Sequence, residues 1–184
     1  MSLRIETTSL SGVFRITPAC YHDDRGFFME TFHLGRYVDA GITKPFVQDN
    51  YSHSIRNVLR GLHFQLRHPQ AKLVSVLHGR IFDVAVDLRP ASPTFGRWLG
   101  EELSAENRAQ LYIPAGFAHG FCVLSDEADI FYKCSALYDP ADDRGLRWND
   151  PRLAITWPVA DPLLSPKDAA HPTLDQLSAA ELPQ

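Results

Sequence analysis

AQLYIPAGFAHGFCVL, residues 109–124, reads as a period-2 strand segment in which Gly116 supplies the freedom for a tight turn. The same period-2 alternation recurs in FFMETF from Phe27, KPFVQDNYS from Lys44, VLRGLHFQ from Val58, KLVSVLHG from Lys72 and RIFDVAVDL from Arg80. Turn residues separate the runs. Eleven Phe, six Tyr and three Trp, with thirteen Pro and eleven Gly, favour many short strands over a helical bundle. An all-β fold follows. In RIFDVAVDL the alternation puts Phe82, Val84, Val86 and Leu88 on one face and Ile81, Asp83, Ala85 and Asp87 on the other. Acids on an otherwise apolar strand make that second face a candidate cavity lining.

A chain of 184 residues supports one core, so a single domain over 1–184 is expected, with the β unit at about 12–160 and a tail at 161–184. In the tail, PTLDQLSAAEL from Pro172 offers Thr173 as a cap and Leu174, Leu177 and Leu182 as an apolar stripe, which predicts a short helix. The 18 basic and 22 acidic residues are scattered without a run of five like charges, which points away from nucleic acid and anionic membranes. The N-terminus lacks a signal-peptide core and no stretch is long enough to span a bilayer. Cys20, Cys122 and Cys134 have no zinc-ligand spacing and read as reduced thiols, so a cytoplasmic location is expected.

Several residues could carry chemistry. His63 sits in RGLHFQ between apolar Leu62 and Phe64, and simple alternation places Arg60 and His63 on opposite faces, so one of them points inward. IPAGFAHGF has the PxGxxH spacing common in the second half of cupin barrels, delivering His119 to the barrel mouth. A metal-binding cupin also needs a His-x-His, and the first half offers only His63 in HFQ, so no metal site is expected. Tyr132 and Tyr138 in FYKCSALY, and Lys167 and Asp168 in SPKDAAHPTLDQ, are each unremarkable alone.

Read together and in order, DDRGFFMETF, QDNYS, RGLHFQ, AKLVSVLHGRIFDVAVDLRPASPTFG, LSAENRAQLYIPAGFAHGF, FYKCSALYDP, GLRWNDP, ITWP and SPKDAAHPTLDQ closely resemble the dTDP-4-dehydrorhamnose 3,5-epimerase family from about Gly12 to Gln176. The resemblance implies an all-β, cupin-like jelly-roll barrel with a short C-terminal helical tail, a homodimer, and no metal or organic cofactor. It implies acid–base epimerisation of a dTDP-linked 4-keto-6-deoxy sugar, because a ketone at carbon 4 acidifies the C–H bonds at carbons 3 and 5. By the same resemblance His63 is the base and Asp168 orients it. Lys72 and His119 lie near the ketone oxygen, and Tyr132 is the acid on the opposite face. Arg25, Glu30, Gln48, Asp49, Asn50, Arg60, Asp143 and Lys167 fall at contacts to the sugar nucleotide, with Tyr138 stacking on the base. The alternatives are an enzyme inverting only one carbon, a non-catalytic sugar-binding cupin, and, third, a metal-dependent cupin.

Overall fold

The computed structural model describes residues 2–183, and the strands found match the alternating runs of the sequence closely. In chain order they are β1 (Leu3–Thr7), β2 (Phe14–Pro18), β3 (Cys20–Asp23), β4 (Gly26–Met29), α1 (Leu34–Asp39), β5 (Gln48–Ile55), β6 (Leu59–Gln65), β7 (Lys72–His78), β8 (Arg80–Asp87), β9 (Trp98–Ser104), β10 (Gln110–Ile113), β11 (Phe117–Val123), β12 (Glu127–Cys134), β13 (Asp143–Gly145) and α2 (Pro166–Ala169). One sheet runs β1-β2-β10-β7-β12-β5, a second runs β13-β6-β11-β8-β9, and β3-β4 form a separate hairpin. All the strand pairings are antiparallel.

The two sheets face each other over a core that includes Val74 and Val76 from β7, Ile130 from β12, Ile81 and Ala85 from β8, and Phe117, Phe121 and Val123 from β11. Both outer faces are covered too. The C-terminal tail lays Leu153, Leu174 and Leu182 against Leu62, Phe64, Val84 and Val86, while Tyr37 of α1 and Ile42 cover Ile16 and Leu73 on the other sheet. Strand β11 is buried along its whole length, which explains why its sequence runs apolar without clean alternation. The turn before it is built as the sequence suggests. Gly116 has φ +91°, and a Cβ there would meet Arg89 Cγ at 2.6 Å.

Three local expectations change. Strand β1 extends the larger sheet upstream of residue 12 by pairing with β2. The tail helix after Pro172 is instead two single 3-10 turns, Leu174–Gln176 and Ala179–Glu181, each closed by a capping box from Thr173 or Ser178. Two capping boxes five residues apart end one turn before a helix can propagate, yet Leu174 and Leu182 still reach the core. The true helix, α2, lies earlier, started by Pro166 at its first position and by Ser165 Oγ accepting from the Asp168 N–H at 3.1 Å.

Candidate active site

The open end of the sheet pair holds three adjoining cavities of about 260, 530 and 170 Å³. His63 lines all three, and Lys72 and Tyr132 line the first and third. His63 stands on β6 in one sheet and Tyr132 on β12 in the other, so imidazole and phenol approach the same space from opposite walls.

The position of His63 depends on an irregularity in its strand. Against β11, His119 pairs with His63 but Phe121 pairs with Arg60, so β6 spends three residues where β11 spends two. This bulge reverses the alternation, and Arg60 and His63 both reach the cavity instead of opposite faces. Gly61 and Gly120 make the bulge possible. A Cβ on Gly61 would fall 2.6 Å from Gly120 Cα, and one on Gly120 would fall 2.7 Å from Arg60 O.

His63 Nε2 donates to Asp168 Oδ1 at 2.7 Å, with the proton placed on Nε2 by the carboxylate, leaving Nδ1 free to act as a base. Asp168 comes from the tail, which is held down along its length. The Leu59 N–H donates to Leu163 O at 3.0 Å, the Arg147 N–H to Pro172 O at 2.8 Å and the Leu174 N–H to Asp150 Oδ2 at 2.6 Å. Burial alone would push the Asp168 carboxyl up. Its contacts with His171, His63 and the Gly61 N–H outweigh burial and hold it well below the usual carboxylate range.

Lys72, at the start of β7, has its Nζ 6.0 Å from the centroid of the Tyr132 ring. Burial pulls its pKa down, opposed by the negative potential of the Asp83 and Asp143 carboxylates. Among the described residues it makes no ion pair, which leaves it available to an anionic group in the cavity. Burial raises the Tyr132 phenol, which therefore stays protonated and able to donate. His119 lies deeper. Its Nε2 donates to Asp83 Oδ1 at 2.8 Å, both groups are nearly inaccessible, and burial lowers the histidine pKa against the pull of Asp83. Asp83 belongs to the strand face that the sequence marks as acidic, and its other oxygen has no hydrogen-bond partner.

Around the outer cavities, the Tyr138 hydroxyl donates to Asp143 Oδ2 at 3.0 Å, and Lys167 forms an ion pair with the same carboxylate. The Tyr138 N–H donates to Gln48 Oε1 at 2.7 Å, and Gln48 Nε2 donates to Asn50 Oδ1 at 3.0 Å. Tyr138 is 52% exposed and is anchored through its hydroxyl and its backbone N–H. Arg60 donates from Nε to Ser54 Oγ at 3.0 Å and is held at the cavity wall.

Three expected residues lie elsewhere in this chain. Asp49 alternates to the outer face of β5 and pairs with Lys133 at 2.9 Å. Arg25 sits at the tip of the β3-β4 hairpin, paired with Asp23 at 2.5 Å, and Glu30 pairs with Arg36. The hairpin lies outside both sheets, so neither residue borders the cavities. Conversely, Gln65, Gln70 and Ser52 line the site without having been singled out in the sequence. Gln65 lies two residues beyond His63 and Ser52 two beyond Asn50, so alternation carried a signal for both, whereas Gln70, in the loop before β7, gave none.

Comparison with known proteins places the chain in a family. The family model described as dTDP-4-dehydrorhamnose 3,5-epimerase matches residues 7–176. A dTDP-4-dehydrorhamnose 3,5-epimerase of Methanothermobacter thermautotrophicus is 54% identical over 168 residues, covering 90% of this chain and 91% of that one. One from Neisseria gonorrhoeae is 52% identical over 176 residues, covering 95% of this chain, which itself spans about half (54%) of that longer protein. The crystal structure of the dTDP-6-deoxy-D-glucose-3,5-epimerase of Legionella pneumophila in complex with dTDP-4-keto-L-rhamnose superposes with a TM-score of 0.97 at 51% identity, covering 100% of this chain and 98% of that one. The family model over residues 7–176, relatives more than 50% identical over at least nine-tenths of the chain, and the matching fold make the chain a member of the dTDP-4-dehydrorhamnose 3,5-epimerase family.

Proposed function

We propose that the chain converts dTDP-4-dehydro-6-deoxy-D-glucose to dTDP-4-dehydro-L-rhamnose by inverting carbons 3 and 5 in turn. The observation that carries the reading is the His63–Asp168 contact of 2.7 Å opening onto a cavity faced by Lys72 and, from the other sheet, by Tyr132. His63 Nδ1 removes the proton next to the ketone. The electron pair moves into the enolate, and the developing oxyanion is met by the Lys72 ammonium in a site where burial strengthens the attraction. Tyr132 returns a proton from the opposite wall, and inversion results. Asp168 steadies the imidazolium through the step, as the carboxylate of a catalytic triad does.

His119 has a narrower part. With its Nε2–H committed to Asp83, its Nδ1 donates to an oxyanion only when the ring is doubly protonated, a state that burial opposes. Lys72 is therefore the principal oxyanion partner, and His119 with Asp83 shapes the inner wall. The diphosphate lies toward Arg60 and Lys167, with Gln48, Asn50 and Asp143 at the nucleoside and thymine stacked on Tyr138. Base stacking on an aromatic side chain contributes ~1–3 kcal/mol in single-strand binders. Arg25, Glu30 and Asp49 contact no ligand in this scheme from within one chain. In a homodimer the β3-β4 hairpin carries Arg25 and Glu30 to the partner's site. A solution mass near twice the chain's 20.7 kDa supports that assembly, and the monomer value contradicts it. None of the described helices is long and apolar enough to cross a membrane, in keeping with a cytoplasmic enzyme.

Turnover of dTDP-4-keto-6-deoxyglucose in deuterated water tests the reaction. Deuterium at both carbons 3 and 5 supports it. Label at one carbon only makes the chain a single-centre epimerase, and no label refutes an epimerase.

A further inference from the structure

The mechanism leaves one buried imidazole unused. His171 follows α2 closely and is 8% exposed, and its Nε2 makes no hydrogen bond. That nitrogen is aimed at Asp168, 3.5 Å from the same Oδ1 that accepts from His63. The His171 and His63 rings meet edge to face, with centroids 5.7 Å apart and planes at 80°. On the other side lies Gly145, where an added Cβ would stand 2.3, 2.4 and 2.5 Å from Nε2, Cε1 and Cδ2 of His171. Near-equal distances to three adjacent ring atoms put the glycine over the ring face, so it does not block the in-plane direction of Nε2. The three atoms, His63 Nε2, Asp168 Oδ1 and His171 Nε2, all lie within 4.8 Å of one another.

We propose that these three atoms form a zinc-binding site, and that zinc bound there switches the epimerase off. Two imidazoles and one carboxylate with a fourth position open are a common donor set for this borderline cation. Tetrahedral ligands at ~2.0–2.2 Å from zinc stand roughly 3.3–3.6 Å apart. The His171–Asp168 separation of 3.5 Å already fits. The 2.7 Å His63–Asp168 contact must open by ~0.7 Å, and His63, the most exposed of the three, lines the cavity and has room to move. Zinc at His63 Nε2 displaces the proton held there. A neutral ring then carries its proton on Nδ1, passed through solvent, and the nitrogen that acts as base is occupied. The inhibition rests on His63 being the base, as proposed above, whereas the binding does not.

A second meeting of imidazoles and carboxylates, His53 and His78 with Asp129 and Glu127, lies exposed on the surface and provides the background against which the site is measured. The test uses the full chain, stripped with EDTA and titrated with zinc against a coloured chelator, with epimerisation followed in parallel. His171→Asn and His171→Phe leave the surface cluster intact. Expected are one zinc per chain that both variants lose or bind roughly 10- to 100-fold more weakly, zinc inhibition of the unaltered chain reversed by EDTA, and no effect of magnesium. Circular dichroism and thermal unfolding show whether both variants fold, and zinc inhibition of each is read against its own zinc-free rate, because His171 also touches Asp168. Independently of any variant, crystals soaked in zinc show anomalous scattering between His63, Asp168 and His171. Binding or inhibition unchanged in the variants, or no zinc signal at those atoms, overturns the proposal, and His171-dependent binding that leaves the rate untouched overturns the switch. An unaltered chain inactive before zinc is added is a failure of the epimerase reading instead, and the binding arms remain readable.

Discussion

His63–Asp168 and His119–Asp83 are the same pair of side chains at nearly the same separation, 2.7 and 2.8 Å, and the two histidines face each other across the β6-β11 ladder. Their surroundings differ. The His63 side chain is 33% exposed and its carboxylate comes from a docked tail segment, whereas His119 is 7% exposed and its carboxylate comes from the adjacent strand β8. An imidazole that must take up and release a proton needs room for substrate and a partner that stabilises its charged form. One sealed between two sheets is held to its uncharged form by burial. Identical local chemistry therefore suits His63, at the cavity mouth, to the proposed role of base and leaves His119, beneath it, to form the wall.

Substitutions in the two pairs sharpen that contrast. His63→Ala has the largest effect, abolishing both inversion and solvent exchange at carbons 3 and 5, because general-base catalysis of this kind supplies ~10²- to 10⁴-fold and nothing else begins the reaction. Exchange at the wild-type rate in that variant would remove His63 from the chemistry. Asp168→Asn keeps the shape but loses the charge that steadies the imidazolium, and a fall in kcat/KM of up to ~10⁴-fold is expected from the corresponding change in a catalytic triad. A rate near wild type would reduce Asp168 to packing. His119→Asn acts mainly on stability, costing about 1–3 kcal/mol by denaturant unfolding as the buried Asp83 carboxylate loses a donor. If its turnover falls as far as that of His63→Ala, the two pairs are not functionally distinct.

The smallest effect is a pH dependence. Asp168 has a folded pKa below its unfolded value, so the stability it contributes is present above the ordinary carboxylate pKa of ~4 and is lost as pH falls through the lower folded value. The stability difference between the unaltered chain and Asp168→Asn should therefore be constant near neutral pH and shrink progressively once pH drops below ~4. A gap that instead widens in acid would reverse the sign of the coupling.

Much of this was legible in the sequence because strands buried on one face write their period into it, as RIFDVAVDL does with Asp83 among apolar neighbours. The turn at Gly116 was equally visible. The placement of Arg60 beside His63 was not, since a bulge that inserts one residue into a strand leaves no period of its own and reverses the expected face. The tail helix was misplaced because two capping boxes give the same residues as one longer helix start. His171 was invisible for a different reason. Its neighbours Gly145 and Asp168 meet it only when the tail docks against β13 and β6.

The proposed base and acid stand on opposite sheets, and Tyr132→Phe separates them most directly. Removing the phenol deletes the donor on one wall and leaves His63, Asp168 and Lys72 in place, so proton abstraction continues and the proton returns from the side it left. Measured by NMR in deuterated water, the variant should incorporate deuterium at carbons 3 and 5 of the dTDP-4-keto-6-deoxy sugar while retaining its configuration. Inversion of both carbons at the wild-type rate would contradict the opposed-face arrangement and move the acid to another group.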